Sequence, residues 1–389
     1  MDAEGRGSSG LSVLQVSSYA PPHLGGLETC AAGIFSGIRK RQVHIRWLFS
    51  DVPQLPPGPD TTRIRASNVV ERLLGVPVPI PALSSLAQFA SEVRAADVVH
   101  VHDVMYLNSL IAVVLAQRLR KPIVATLHIW KVPYRNPLIR VVQDIVHRTI
   151  GMYCLRRASA IVTYNREIFA KLEPVGTGKT FFVANGIAEA FEVADDDIGD
   201  RRWRELRSSL ALTDSDHVVL FAGRFVSKKG LHLIRAAAAR MPDTLFVMCG
   251  SGPINPGRWQ LENVRVVGLL EHDELRKYFL ASDLLLLPSK GEGFPLVVPE
   301  AMACGLPCGL LRETWAAFGE HPELFELLDE NRIADDLRAF LTSSPDFERR
   351  RRTANFARSQ WSWDATVDQY LEVFASVSHR SAPAVAGGA

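Results

Sequence analysis

Short runs rich in Val, Ile and Leu alternate with helix-length segments along this 389-residue sequence, and the alternation runs twice. In the first series the strand-like runs fall at 11–17, 43–49, 98–101, 123–127, 160–163 and 180–183. Several are nearly continuous in aliphatic residues, as strands buried on both faces of a parallel sheet must be. Helical segments at 27–41, 83–95, 105–119, 138–157 and 166–172 separate them, and the Pro-rich span 52–60 reads as a loop. The pattern pauses over 186–216, which holds Asp195, Asp196, Asp197 and a short basic helix at 201–209. It restarts at 217–222, 245–249, 264–267 and 284–287, with helices at 230–240, 272–280 and 295–304, and residues 333–378 are helical. Two such series predict an α/β chain of two doubly wound, Rossmann-like domains facing each other across a cleft.

Composition narrows the function classes. Hydrophobic residues make up 47% and charged residues 22%, so sizeable cores can be buried. A formal net charge of +2 gives no global field of the kind that nucleic-acid binding uses. The five cysteines are scattered, form no C-x-x-C and suit buried positions in a reducing cytoplasm. Residues 1–10 and 379–389 read as disordered, and no apolar stretch is long enough to cross a bilayer. The expected location is cytoplasmic.

In open parallel sheets ligands bind at the carboxyl ends of strands, so the residues just after the strand-like runs are the candidates. The strongest group is GEGFPLVVPEAMACGLP (291–307), a glycine-containing loop that opens a helix near Pro295. Free amides in 293–296, from Gly293, Phe294 and Leu296 with Pro295 lining the turn between them, would form an anion or hydroxyl site. Glu300 stands four residues after Leu296 on the same helical face, where a carboxylate can accept from two vicinal hydroxyls. Glu292 lies in the loop. A second group is FAGRFVSKKG (221–230), in which Arg224 and Lys229 flank a strand-to-helix turn and suit a diphosphate. A third is the loop holding Gly25 and Gly26, which permits close backbone approach to a phosphate. His128 follows one strand; His102 and Asp103 follow another and are acceptor-side candidates. No fixed ligand spacing points to a metal.

Taken together these segments resemble the retaining glycosyltransferases of family 4, with the GT-B fold. SSYAPPHLGGLE, ADVVHVHD, KPIVATLH, VANGI, FAGRFVSKKG, CGSGP, VRVVGLL and the E-x7-E segment follow in that family's order over nearly the whole chain. The resemblance implies an N-terminal acceptor-side domain over 11–200, with a linker about 186–216. It implies a nucleotide-sugar-binding domain over 211–360 and a helix, 361–378, returning to the first domain. Arg224 and Lys229 would bind the donor's diphosphate and Glu300 the ribose hydroxyls. Glu292, with the amides of Gly293, Phe294 and Leu296, would hold the transferred sugar, and His128 would sit beside it. Gly26 would approach the distal phosphate, and Gly268 to Leu270 would meet the base.

The implied reaction is metal-independent transfer of a sugar from a nucleotide-diphosphate sugar to an acceptor hydroxyl, with retention and without a cofactor. The acceptor would be a carbohydrate, a lipid-linked molecule or a small molecule. A silent GT-B subunit that activates a partner, or a nucleotide-sugar epimerase, would use the same frame. One segment departs from the pattern: CGLLRETW (308–315) stands where a Gly-Gly loop usually follows a strand. Segment 136–157 reads as a helix packed on the sheet with solvated arginines. Its other reading is a basic amphipathic helix on an anionic inner-membrane face.

Overall fold

The computed structural model describes residues 10–379 except 23–25, 53–57, 133, 135, 177, 214–216, 293, 319–321 and 343–344. The expected disordered termini thus fall almost wholly outside the described residues. The chain divides into two compact units. Unit 1 takes residues up to Tyr164, 168–186 and those from Trp363 on; unit 2 takes 165–167 and 187–362.

Unit 1 is built on a seven-stranded sheet. Its strands are β1 (Ser12–Val16), β2 (His44–Ser50), β3 (Thr61–Ile64), β6 (Val98–His102), β7 (Ile123–Leu127), β8 (Ala160–Thr163) and β9 (Thr180–Phe182). A separate antiparallel pair joins β4 (Ala66–Ser67) to β5 (Ile80–Pro81). The large sheet has the order β3-β2-β1-β6-β7-β8-β9, parallel throughout. Strands β1, β6, β7 and β8 are buried almost end to end, which is why their sequences are nearly continuous in Val, Ile and Leu. The helices are α1 (Gly26–Lys40), α2 (Val69–Leu74), α3 (Leu86–Ala95), α4 (Leu107–Arg118), α5 (Pro137–Val146), α6 (Met152–Arg157) and α7 (Arg166–Gly176). The sequence segment 138–157 is interrupted: a π turn, His147–Gly151, divides α5 from α6.

Unit 2 carries a six-stranded parallel sheet of order β12-β11-β10-β13-β14-β15. The strands are β10 (His217–Ala222), β11 (Thr244–Cys249), β12 (Val264–Gly268), β13 (Leu284–Leu287), β14 (Cys308–Leu311) and β15 (Phe325–Leu328). Its helices are α8 (Asp200–Ser209), α9 (Leu231–Arg240), α10 (His272–Ala281), α11 (Val297–Ala303), α12 (Arg312–Trp315), α13 (Ile333–Leu341) and α14 (Phe347–Gln360). The stretch 186–216 reads as a linker, yet Trp203 and Leu206 of α8 are buried and α8 packs on α10. Arg207 anchors it: its guanidinium donates to Ala281 O at 3.0 Å and pairs with Asp283 at 2.7 Å.

The last helix, α15 (Trp363–His379), belongs to unit 1. It lies against α1 because Gly33 and Gly37, one turn apart, leave a groove there. A Cβ at Gly33 would sit 2.1 Å from the Trp363 ring, and one at Gly37 would sit 2.3 Å from a Val367 methyl.

Candidate functional site

Each sheet reverses its strand order once, between β1 and β6 in unit 1 and between β10 and β13 in unit 2. Those switch points open a crevice at the strands' carboxyl ends, where open α/β sheets bind ligands.

In unit 2 the crevice is framed by glycine. Gly230 has φ +71° and caps α9, and a Cβ there would lie 2.0 Å from Pro288 O. Gly250, at φ +136°, would meet Gly223 O at the same distance. These contacts draw the ends of β10, β11 and β13 together as no side-chain-bearing residue could. On this frame Lys229 Nζ stands 3.0 Å from Glu292 Oε1, and Lys228 Nζ stands 3.7 Å from it. The Glu292 side chain is nearly buried. Burial lowers the Lys228 ammonium from its ordinary value; Lys229 and Arg224 push the same way, while Glu292 opposes them. Arg224 is exposed and forms no salt bridge with a described residue. Two lysines thus meet one carboxylate with Arg224 near them, a charge balance that suits a polyanion.

Glu300 lies in the first turn of α11, its amide donating to Leu296 O at 3.1 Å. Desolvation raises its carboxyl to about 7. Its carboxyl has no hydrogen bond or ion pair with a described residue. Leu296 is the N-cap, Pro295 is buried, and Phe294 stacks 4.8 Å from Phe318. The helix starts at Val297, two residues later than the sequence suggests. Gly268 has φ +81° and its carbonyl accepts from Gly250 N at 2.7 Å; Leu270 follows, partly buried. Gly25 and Gly293 lie outside the described residues. Gly26 begins α1, and nothing would meet a Cβ there, so packing does not demand a glycine.

The departing segment supplies a strand after all, β14, followed by α12 in place of a Gly-Gly loop. Glu313 and Thr314 of α12 fasten the site loop. Gly291 N donates to Glu313 Oε1 at 2.8 Å, and the Thr314 hydroxyl donates to Ser289 O at 2.7 Å. The sequence reading missed Glu313, Thr314 and Lys228. A basic pair beside the turn was visible; the reach of α12 back to the loop was not.

Unit 1 fills its strand ends differently. His102 is the last residue of β6 and fully buried, and its Nδ1 lies 2.9 Å from His128 Nε2. Asp103 is buried with φ +58°, and its carboxyl accepts from His128 N at 3.0 Å. Both were expected to face an acceptor; burial instead sets them behind His128, which alone of the three reaches the surface. The Tyr164 hydroxyl lies 3.1 Å from both ring nitrogens of His128 and 3.1 Å from Cys30 Sγ. His100 Nε2 is 2.8 Å from the Thr126 hydroxyl, which is 3.0 Å from the Tyr370 hydroxyl of α15. Desolvation holds His102 near 3 and puts His100 and His128 well below the ordinary imidazole range, so all three are neutral near pH 7. Desolvation raises Asp103 to about 7. No group of His, Cys, Asp and Glu among the described residues has the arrangement of a metal site.

Two family models match this chain. Residues 24–191 match Glycosyltransferase Family 4, and residues 203–360 match Glycosyl transferases group 1. Solved structures share the whole fold: sucrose-phosphate synthase from Thermosynechococcus elongatus superposes with a TM-score of 0.71 at 19% identity, over 95% of this chain and 100% of that one. The chain has the GT-B fold, each of its two domains matching a glycosyltransferase model. Anabaena HepE, a GT-B neighbour solved in complex with UDP, also gives 0.71, at 17% identity over 94% and 100%. Among sequences, D-inositol 3-phosphate glycosyltransferase 1 of Catenulispora acidiphila is 31% identical over 46% of this chain. The match spans about half (48%) of that relative's length.

Proposed function

We propose that this glycosyltransferase moves a sugar from a nucleoside-diphosphate sugar to an acceptor hydroxyl, with retention of anomeric configuration. The observation that carries the proposal is the convergence of Lys228 and Lys229 on Glu292 at the switch point of unit 2, with the exposed Arg224 close enough to Lys228 to depress its ammonium. The solved neighbours support it: HepE was solved with UDP and with UDP-glucose, and starch synthase IV with ADP and acarbose.

In this reading the bond between the anomeric carbon and the β-phosphate oxygen breaks and its electron pair stays on the phosphate. Arg224 and Lys229 stabilise the charge that develops there, assisted by Lys228. The acceptor oxygen attacks from the same face, and its proton passes to the departing phosphate. Side-chain cations make a divalent metal unnecessary. Glu300 accepts from the ribose hydroxyls, and Glu292 and the loop amides hold the sugar. His128 is the unit 1 group assigned to the sugar, with His102 and Asp103 fixing its ring. The acceptor is a carbohydrate, lipid-linked or small-molecule hydroxyl.

The test is a panel of UDP-, GDP- and ADP-sugars. A donor present at about 100 times its dissociation constant should stabilise the protein by about 2.7 kcal/mol, a readily measured melting shift. Mass spectrometry should show the same donor losing its sugar, and NMR of the product should show the retained anomer. No shift and no sugar release with any donor would overturn the reading.

A further inference from the structure

Helix α5 carries its apolar residues on the wrong side for a packed helix. Leu138, Val141, Val142 and Ile145 stand at i, i+3, i+4 and i+7, the spacing of a single helical stripe. That stripe faces outward: the four side chains expose 69, 55, 51 and 57% of their surface, and α5 buries no residue. The reading of 136–157 as a helix packed on the sheet fails for this part. It holds for the segment beyond the π turn, where Cys154 and Leu155 of α6 are buried.

The exposure is concentrated. Among the described residues, five of the fourteen large apolar side chains that stand exposed fall between residues 138 and 153, four of them on α5. Patches of this kind mark interaction surfaces. The charge around the stripe selects the partner. Residues 131–157 hold six Lys or Arg and one acid, Asp144, in a chain whose net charge is only +2. Lys131 Nζ lies 2.7 Å from Asp144 and neutralises it. Arg140 and Arg148 are exposed and form no salt bridge with a described residue.

From this geometry we infer that α5 is a docking helix for an anionic lipid surface, with its aliphatic stripe entering the acyl boundary and Arg140 and Arg148 meeting the headgroups. An outward apolar stripe flanked by unpaired cations is what an interfacial helix presents to such a surface. The helix is too short to cross a bilayer, and no described helix is long and apolar enough to do so. The docking is independent of the donor chemistry and is measured without turnover.

Sedimentation of the full chain with phosphatidylcholine vesicles, with and without phosphatidylglycerol, tests it. Binding is expected on the anionic vesicles alone and should weaken in high salt. A Val141→Gln/Ile145→Gln double variant should lose at least about tenfold in affinity. Arg140→Gln and Arg148→Gln should each lose about fivefold at low salt. Because all five cysteines are buried, an Ile145→Cys variant can be labelled selectively with an environment-sensitive dye, whose emission should shift blue on anionic vesicles. Melting curves of the variants should stay close to the wild type, since the substituted side chains are mostly exposed. Binding to neither vesicle, equal binding to both, or anionic binding unchanged by the α5 variants would each overturn the inference. A dimer seen by light scattering that the double variant dissolves, without vesicle binding, would assign the stripe to a second copy and overturn it too.

Discussion

The two units share one architecture and use its switch point in opposite ways. In unit 2 the strand ends carry permanent charge: Lys228 and Lys229 against Glu292, with Arg224 near Lys228. In unit 1 the equivalent ends carry three neutral imidazoles, two phenols and a thiol in one largely buried network, joined through Tyr164 and Tyr370. The same sheet can therefore present a charged cradle or a neutral hydrogen-bonding wall, depending on which side chains end its strands. A diphosphate needs the first. A hydroxyl that must not be trapped by charge is served by the second.

The largest expected effect breaks the charged side. Arg224→Ala or Lys229→Ala should lower kcat by about 10²- to 10³-fold, as losses of groups that stabilise transition-state charge do. Tyr164→Phe, in the neutral network, should change it far less. Steady-state kinetics on the three folded variants checks the contrast, and equal losses would erase it.

Acid should separate the units next. His100, His102 and His128 stay neutral when folded but protonate in the unfolded chain below about 6.5. Each therefore favours unfolding as pH falls from there. Asp103 opposes them: between about 4 and 7 it is protonated folded and ionised unfolded, so acid favours its folded form. Three against one gives unit 1 a net loss of stability as pH falls through that window. Glu300 gives unit 2 a change of the opposite sign. Hydrogen exchange at pH 6.5 and 5, resolved by peptide, should show unit 1 losing protection first; equal losses in both units would contradict the account.

Tyr370→Phe should cost unit 1 about 1 kcal/mol, the ordinary worth of a buried hydrogen bond, read as a small drop in melting temperature. Donor binding should release a fraction of a proton near pH 7, because ribose hydroxyls donating to Glu300 favour its ionised form. Calorimetry in buffers of different ionisation enthalpy measures it. The smallest effect is none: excess chelator should leave turnover within about twofold, and loss of activity restored by Mn²⁺ would point to a carboxylate–metal site.

The strands buried on both faces were legible because burial on both faces forces continuous aliphatic runs, as in 98–101 and 284–287. Of the strands in the two large sheets, β3, β14 and β15 were missed. Each has four residues, and polar residues interrupt β3 (Thr61, Thr62, Arg63) and β15 (Glu326). The charged site was legible because its loops are contiguous in sequence. The histidine network was not, since its members come from β6, β7, α1 and α15 and the residues that follow β7 and β8 (Cys30, His100, His102, Thr126, His128, Tyr164, Tyr370). Only the register that pairs His100 with Val124 and His102 with Thr126 brings them together. The outward stripe of α5 defeated the periodicity argument for a simpler reason: spacing shows that a helix has an apolar face, not what that face meets.

The seating of Trp363 and Val367 against Gly33 and Gly37 makes unit 2 an insertion within unit 1. During synthesis, unit 2 is complete when Ser362 has cleared the ribosome, while the groove on α1 still waits for its helix. Until α15 emerges, Thr126 lacks its contact with the Tyr370 hydroxyl, and the nascent unit 1 exposes a glycine-lined trough to whatever holds unfinished chains. The part of the protein made first is therefore the part finished last.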